Sequence, residues 1–271
     1  MIIWLSSYPK SGNTWVRSFL SNYFSGSSEF NFDQLDNIER FPTPELMSQL
    51  KINFHNLSEI VSNWIRMQEF INLKNDTTYL KTHNAMCTVN NHPFTNKENT
   101  AGFIYLVRDP RDVILSYSKH LNIDLNETFE IMNDKMSKEA FDRDGRETVE
   151  VILGSWSEHY KSWKNYDPGR GLIIKYEDLV LNPNVYLRKI IIFLNQLNGL
   201  IVDEEKITKS IENTNFLKMQ KLEKKTGFKE STRGPFFRKG KVGEWKNELN
   251  KELKIKIEKA FFKEMKELNY L

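Results

Sequence analysis

The first fifteen residues, Met1-Ile-Ile-Trp-Leu-Ser-Ser-Tyr-Pro-Lys-Ser-Gly-Asn-Thr-Trp15, limit what this chain can fold into more than any other stretch. Residues 1–5 form an apolar run rich in strand formers, of the length of a buried parallel strand. Ser6, Ser7 and Pro9 break it. Past the polar Lys10-Ser11-Gly12-Asn13-Thr14, apolar residues recur at Trp15, Val16, Phe19, Leu20 and Tyr23, a helical spacing. A strand, a tight turn holding a Gly and a Lys, and a helix N-terminus together make an anion cradle. Free backbone N–H groups and the positive end of the helix dipole converge on one spot. The ATP-binding loop G-x-x-x-x-G-K needs glycine at two set positions before its lysine. Measured from Lys10, those positions hold Trp4 and Pro9. The expectation is a phosphate loop by architecture, but not the one ATPases use.

The chain beyond it alternates strands with helices. Residues 77–82, 101–107 and 171–176 are β-branched, aromatic or continuously apolar and predict strands. Helical patterns cover 58–73, 110–120, 124–143, 146–163, 184–197, 203–211, 214–222 and 246–268, with Asp167-Pro168-Gly169 closing the fourth. Residues 29–42, 84–100 and 223–245 read as irregular, and Thr43-Pro44 opens a short helix as a cap and a first-turn proline. No repeat or linker divides the chain. The expected fold class is α/β: one domain over residues 1–271, with a central parallel β-sheet flanked by helices and ligands at the carboxyl ends of the strands. A hydrophobic content of 39%, with six Trp and eighteen Phe, supplies the core this needs. The net charge of +3 argues for no polyanionic partner. A lone cysteine, Cys87, excludes an internal disulfide and fits a reducing compartment. The N-terminus lacks the features of a signal peptide, and no window reaches the roughly 18 apolar residues of a membrane span. The expectation is a cytoplasmic protein.

The segment Tyr8-Pro9-Lys10-Ser11-Gly12-Asn13-Thr14-Trp15 resembles the phosphosulfate loop of the sulfotransferases that use 3′-phosphoadenosine-5′-phosphosulfate (PAPS). The resemblance implies that Lys10 neutralises the oxygen bridging phosphate and sulfate, and that Ser11, Gly12, Asn13 and Thr14 supply donors. It also implies that Trp15 stacks on adenine, although its helical position alone equally suits a core residue. A second match is Arg108-Asp-Pro-Arg-Asp-Val-Ile-Leu-Ser116, in which the family's arginine and serine hold the 3′-phosphate. Arg offers a charge-assisted fork there, and Ser116 falls on the helix starting at the same strand end. The third is Phe237-Arg238-Lys239-Gly240-Lys-Val-Gly243, like the family segment that closes over the 3′-phosphate. From 218 to 246 there are ten Lys or Arg against three Glu. Such a run is also a solvated face or a nucleic-acid patch, but Gly234, Gly240 and Gly243 suit a loop wrapped around a nucleotide phosphate. Tyr176, Thr214 and Phe216 match family adenine contacts.

His83, in Lys81-Thr82-His83, matches the family's general base, and imidazole titrates near working pH as that role requires. Lys10 and Lys81 are then the charge stabilisers. His83, Cys87 and His92 lie close in sequence, yet their spacing fits no zinc pattern and a fourth ligand is missing, so no metal is expected. Two departures stand out. Asn13 replaces a threonine common in the family, and the family's dimerisation segment is not matched at Asn250, Lys251 and Ile255, which leaves the oligomeric state open. The resemblance implies a sulfuryl transfer to a hydroxyl or amine on a small-molecule or saccharide acceptor, with adenosine 3′,5′-bisphosphate (PAP) as product and no nucleic-acid partner. The acceptor-facing loops, 84–100 and about 120–147, do not name it. The alternatives are a P-loop nucleotide kinase or other phosphotransferase, for which no acidic Walker-B strand end is evident, and a non-catalytic nucleotide-binding protein.

Overall fold

Five parallel strands, in the spatial order 39–40, 78–82, 2–7, 100–107 and 171–175, build the central sheet of the computed structural model. It describes residues 1–139, 149–167, 170–231 and 234–271. Along the chain, β1 (Ile2–Ser7) leads through the loop into α1 (Asn13–Ser25), then to β2 (Glu39–Arg40), α2 (Pro44–Gln49), α3 (Leu57–Ser62) and α4 (Trp64–Asn72). Next come β3 (Thr78–Thr82), the small ladder of β4 (Thr88–Val89) and β5 (His92–Pro93), and β6 (Thr100–Val107). They are followed by α5 (Pro110–Leu121), α6 (Leu125–Asn133), β7 (Lys138–Glu139), β8 (Val151–Ile152), α7 (Trp156–Lys164) and β9 (Gly171–Lys175). The remainder is helical: α8 (Tyr176–Leu181), α9 (Pro183–Asn198), α10 (Glu204–Asn213), α11 (Phe216–Thr226), α12 (Trp245–Glu248), α13 (Lys251–Ala260) and α14 (Phe262–Glu267).

Strand period explains how two cores form on one sheet. Side chains alternate across a strand. Trp4 on β1 and Phe103, Tyr105 and Val107 on β6 therefore join one apolar cluster with Trp64, Phe94, Trp156 and Trp163. Their neighbours Ile3 and Leu5 on β1, and Ile104 and Leu106 on β6, enter the other, with Val16, Phe19 and Leu20 of α1 and Leu187 and Ile191 of α9. Both faces are covered, as a parallel sheet requires.

Several boundaries differ from expectation. The pattern at 146–163 yields a helix only from Trp156; residues 146–148 lie outside the described residues. Val149, Val151 and Leu153 are buried at every second position, a strand period, and Gly154 (φ +64°) then turns the chain so that Ser155 caps α7 through Glu158 N. The stretch 124–143 is helical only over α6 before β7 follows, and 140–143 lie outside the described residues, as do Pro168 and Gly169 of the expected stop. Asn63 divides 58–73 into α3 and α4, and the last helix is broken into three, with Asn250 capping α13. β2 and the β4–β5 ladder lie in stretches expected to be irregular.

Candidate active site

Every strand of the central sheet delivers a polar or aromatic group at its carboxyl end. Arg40 ends β2, His83 follows β3, the loop to Trp15 follows β1, Arg108 follows β6 and Tyr176 follows β9. All five border one cavity of about 310 Å³, which Ser116, Phe216, Arg238, Lys239 and Gly240 also line. Of the residues expected in the site, only Ser11 and Thr214 do not line it. Ser11, within the loop, is fully buried. Thr214 is also buried, and its hydroxyl donates to the Ser210 carbonyl at 2.7 Å.

The loop holds its shape through two left-handed residues, Lys10 (φ +65°) and Gly12 (φ +95°), the latter the N-cap of α1. First-turn amides of a helix have no partner within it, so Asn13 and Thr14 bring such donors to the cavity wall. The Asn13 side chain, by contrast, turns back: its Nδ2 donates to the Leu5 carbonyl at 3.2 Å and to Ser7 Oγ at 3.3 Å. Its brace, rather than a ligand contact, explains an amide here. Trp15 is half-buried, packs edge-on against Tyr176 (6.4 Å between centroids) and touches two apolar clusters while lining the cavity.

Arg108 ties the loop to the distant basic segment. One Nη donates to the Lys10 carbonyl and the other to the Lys241 carbonyl, each at 3.2 Å, and the guanidinium lies over the Tyr176 ring at 4.4 Å. The rest of that motif is structural. Arg111 pairs with Asp109 at 2.7 Å and Glu258 at 2.5 Å, and stacks on Trp245 at 3.8 Å. Asp112 accepts from the amides of Gly243 (2.7 Å) and Trp245 (3.0 Å), which pins the far end of the basic segment to α5.

The acidic partners were missed from sequence. Glu230 accepts from Thr14 Oγ1 (3.2 Å), Arg17 (2.6 Å) and Lys81 Nζ (3.3 Å), and Glu244 pairs with Arg238 (2.9 Å) and Lys239 (3.0 Å). Burial brings the Lys81 ammonium from 10.5 down to about 8, with Glu230 raising it and Arg17 and Arg40 lowering it further. His83 Nδ1 sits 2.7 Å from the Ser7 carbonyl and 3.3 Å from Ser7 Oγ. Burial first, then the Lys81 charge, press its imidazole well below the ordinary 6.5, and the Ser7 bond opposes them. Behind it His159, brought down to about 4 by burial, donates from Nε2 to the His83 carbonyl (3.0 Å) and takes the Tyr105 hydroxyl on Nδ1 (2.9 Å). His83, Cys87 and His92 form no metal-holding group among the described residues.

The chain matches the family described as "Sulfotransferase domain" over residues 2–269. It belongs to that family. Among similar proteins, Sulfotransferase 1B1 of Mus musculus is 27% identical over 258 residues, which is 90% of this chain and 75% of that one. Sulfotransferase 1 family member D1 of Mus musculus is 27% identical over 276 residues, 98% of this chain and 83% of that one. Among solved structures, mouse sulfotransferase SULT7A1 complexed with PAP superposes with a TM-score of 0.61 at 22% identity, over 98% of this chain and 84% of that one. Retinol dehydratase in complex with androsterone and PAP gives a TM-score of 0.61 at 21% identity, over 98% and 80%. The sulfotransferase assignment makes the chain an enzyme, a transferase, and the α/β fold with a central parallel sheet agrees with it. No helix among the described residues is long and apolar enough to cross a membrane.

Proposed function

We propose that this sulfotransferase moves the sulfuryl group of PAPS to a hydroxyl or amine acceptor, with His83 as general base. The observation that carries the reading is the convergence of four distant segments, 8–15, 81–83, 108–116 and 236–241, on one cavity. The groups present suit a donor with charge at both ends. All of them line the cavity: the loop, Lys10 and Lys81 supply donors and cations for the phosphosulfate; Arg108, Ser116, Arg238 and Lys239 supply cations and a hydroxyl for a 3′-phosphate; Trp15, Tyr176 and Phe216 supply aromatic rings for a base. A volume of about 310 Å³ lies at the small end of the range for ligand sites. Two of the similar structures are complexes with PAP, which supports the same choice.

In the reaction, PAPS is a substrate that brings its own leaving group. The chain's part is to orient, to hold charge and to take a proton. His83, neutral at working pH, accepts the proton of the acceptor hydroxyl as its oxygen bonds to sulfur. The sulfur–oxygen bond to the phosphate breaks, and Lys10 and Lys81 offset the charge left on that oxygen. Positioning contributes the rest, as in phosphoryl transfer. A cytoplasmic setting belongs to the same reading and rests on the single cysteine. The test is label transfer from sulfur-labelled PAPS to a panel of phenols, alcohols, amines and saccharides. Transfer dependent on His83 supports the proposal; hydrolysis or transfer from ATP instead would replace it with a phosphotransferase.

A further inference from the structure

Four of the five strand ends have roles in the proposed transfer; the fifth, Arg40 on β2, has none. Its position is informative. Arg40 pairs in register with Lys81 on β3, at the edge of the sheet, and lines the same cavity. Neighbouring strands lie about 4.8 Å apart, so the order β2-β3-β1-β6 sets the Arg40 backbone about 14 Å from the strand that presents Arg108. The two arginines therefore enter the cavity from strands three apart in the sheet. Arg108 belongs to the end proposed for the 3′-phosphate, and Arg40 lies one strand beyond Lys81 and His83, at the far edge of the sheet.

The electrostatics of Arg40 are equally unlike those of its neighbours. Lys81 and Arg17 share Glu230, Arg111 has Asp109 and Glu258, and Arg238 and Lys239 share Glu244. Arg40 has no carboxylate within ion-pair distance among the described residues, and its Nη2 is buried without a hydrogen-bond partner. Of the arginines that line the cavity, only Arg40 and Arg108 keep a buried nitrogen of this kind among the described residues. Leaving a buried guanidinium donor unmatched costs more than an ordinary hydrogen bond gains. Beside Lys81 it also adds a like charge, and it helps hold His83 neutral. An anion arriving with the acceptor would remove both penalties. None of the cavity's acidic groups lies within ion-pair distance of Arg40 among the described residues: Glu230 and Glu244 hold the pairs above, and Glu139 takes the Tyr117 hydroxyl, its Oε2 being itself buried without a hydrogen-bond partner.

We infer that Arg40 is a specificity-determining residue that binds a carboxylate on the acceptor, so that the preferred acceptor is a hydroxy or amino compound bearing a carboxylate. The planar guanidinium fork matches a carboxylate better than a lysine ammonium does. The inference rests on the sulfotransferase reading for the direction in which the acceptor lies.

The test uses 4-hydroxyphenylacetate and 4-hydroxyphenylacetamide, which differ in charge but hardly in shape. Their equilibrium binding to the PAP-loaded protein is measured for wild type, Arg40→Gln and Arg40→Lys. Wild type should bind the carboxylate about 10- to 100-fold more tightly than the amide, as expected for a charge-assisted pair. Arg40→Gln should erase that ratio and Arg40→Lys restore part of it. Equal binding of the two probes by wild type, absence of carboxylate binding, or a ratio unchanged in Arg40→Gln would each overturn the inference. The PAP titration is a separate arm. A protein that binds no PAP but still prefers the carboxylate through Arg40 would overturn the donor reading and keep the Arg40 site.

Discussion

The Nδ1 atom of His83 lies 2.7 Å from the carbonyl oxygen of Ser7, the last residue of β1. A carbonyl only accepts, so Nδ1 carries the hydrogen and Nε2 holds the lone pair. The strand that ends in the phosphate loop thereby sets the tautomer of the proposed base on the neighbouring strand. His83→Ala should lower transfer by about 10²- to 10⁴-fold, the usual contribution of a general base, while PAP affinity changes little. Rates from saturating PAPS and a PAP titration check both halves.

The pH profile follows from two displaced groups. A base works when neutral, and His83 is pressed below its ordinary 6.5, so the acid limb of kcat/KM should lie below that value. A charge stabiliser works when protonated, and Lys81 is brought down to about 8, so activity should fall as pH rises through that region. Lys81→Arg keeps its charge at all these pH values and should lose the basic limb. A basic limb that stays in place in this variant removes Lys81 from the assignment.

Glu230 joins the basic segment to α1 and β3 through Thr14, Arg17 and Lys81. Burial opposes its ionisation, but the Lys81 and Arg17 charges prevail and hold the carboxyl well below its ordinary 4.5. Glu230→Gln should cost about 1–3 kcal/mol of stability at neutral pH. Because the folded-state pKa is depressed, that stabilisation is present above the ordinary value and lost as pH falls through the folded one. The melting-temperature gap between wild type and variant should therefore narrow in acid. The basic limb of activity should also move to lower pH, since Lys81 loses the group that raises it.

How much of this was legible depended on whether the signal was local. β1, β6 and β9 showed as apolar runs and β3 as a β-branched and aromatic one, and the cations of the site came from the resemblance of their short local motifs to the sulfotransferases. Two-residue β2 carries no periodicity, so Arg40 was invisible. At 149–153, apolar residues that also fit a helical stripe were buried on alternate positions, and only the turn at Gly154 separates the two periods. The acidic partners left no trace because an ion pair such as Arg17–Glu230 joins residues 213 apart. Likewise nothing near Asp112 announces that it grips Gly243 and Trp245, 131 and 133 residues away.

Gly12 is required twice over. Its φ of +95° disfavours any side chain, and an added Cβ would lie 2.5 Å from Tyr176 Cδ2. Gly12→Ala should lose about 1–3 kcal/mol of stability and displace the ring beneath Arg108, so PAP binding weakens too. Gly199 shares a left-handed φ of +74° but has nothing within 4 Å of its absent Cβ. Gly199→Ala should lose stability alone. Thermal melts with and without PAP separate the two effects.

In the proposed complex Arg108, Ser116 and the segment at Arg238 read a 3′-phosphate while the loop at Lys10 reads the 5′ end. Calorimetric titration of one preparation with PAP, ATP and AMP tests it most directly. PAP should bind far more tightly than either, by about tenfold or more for one charge-assisted phosphate contact. ATP binding as tight as PAP would contradict the account and return the loop to the phosphotransferases.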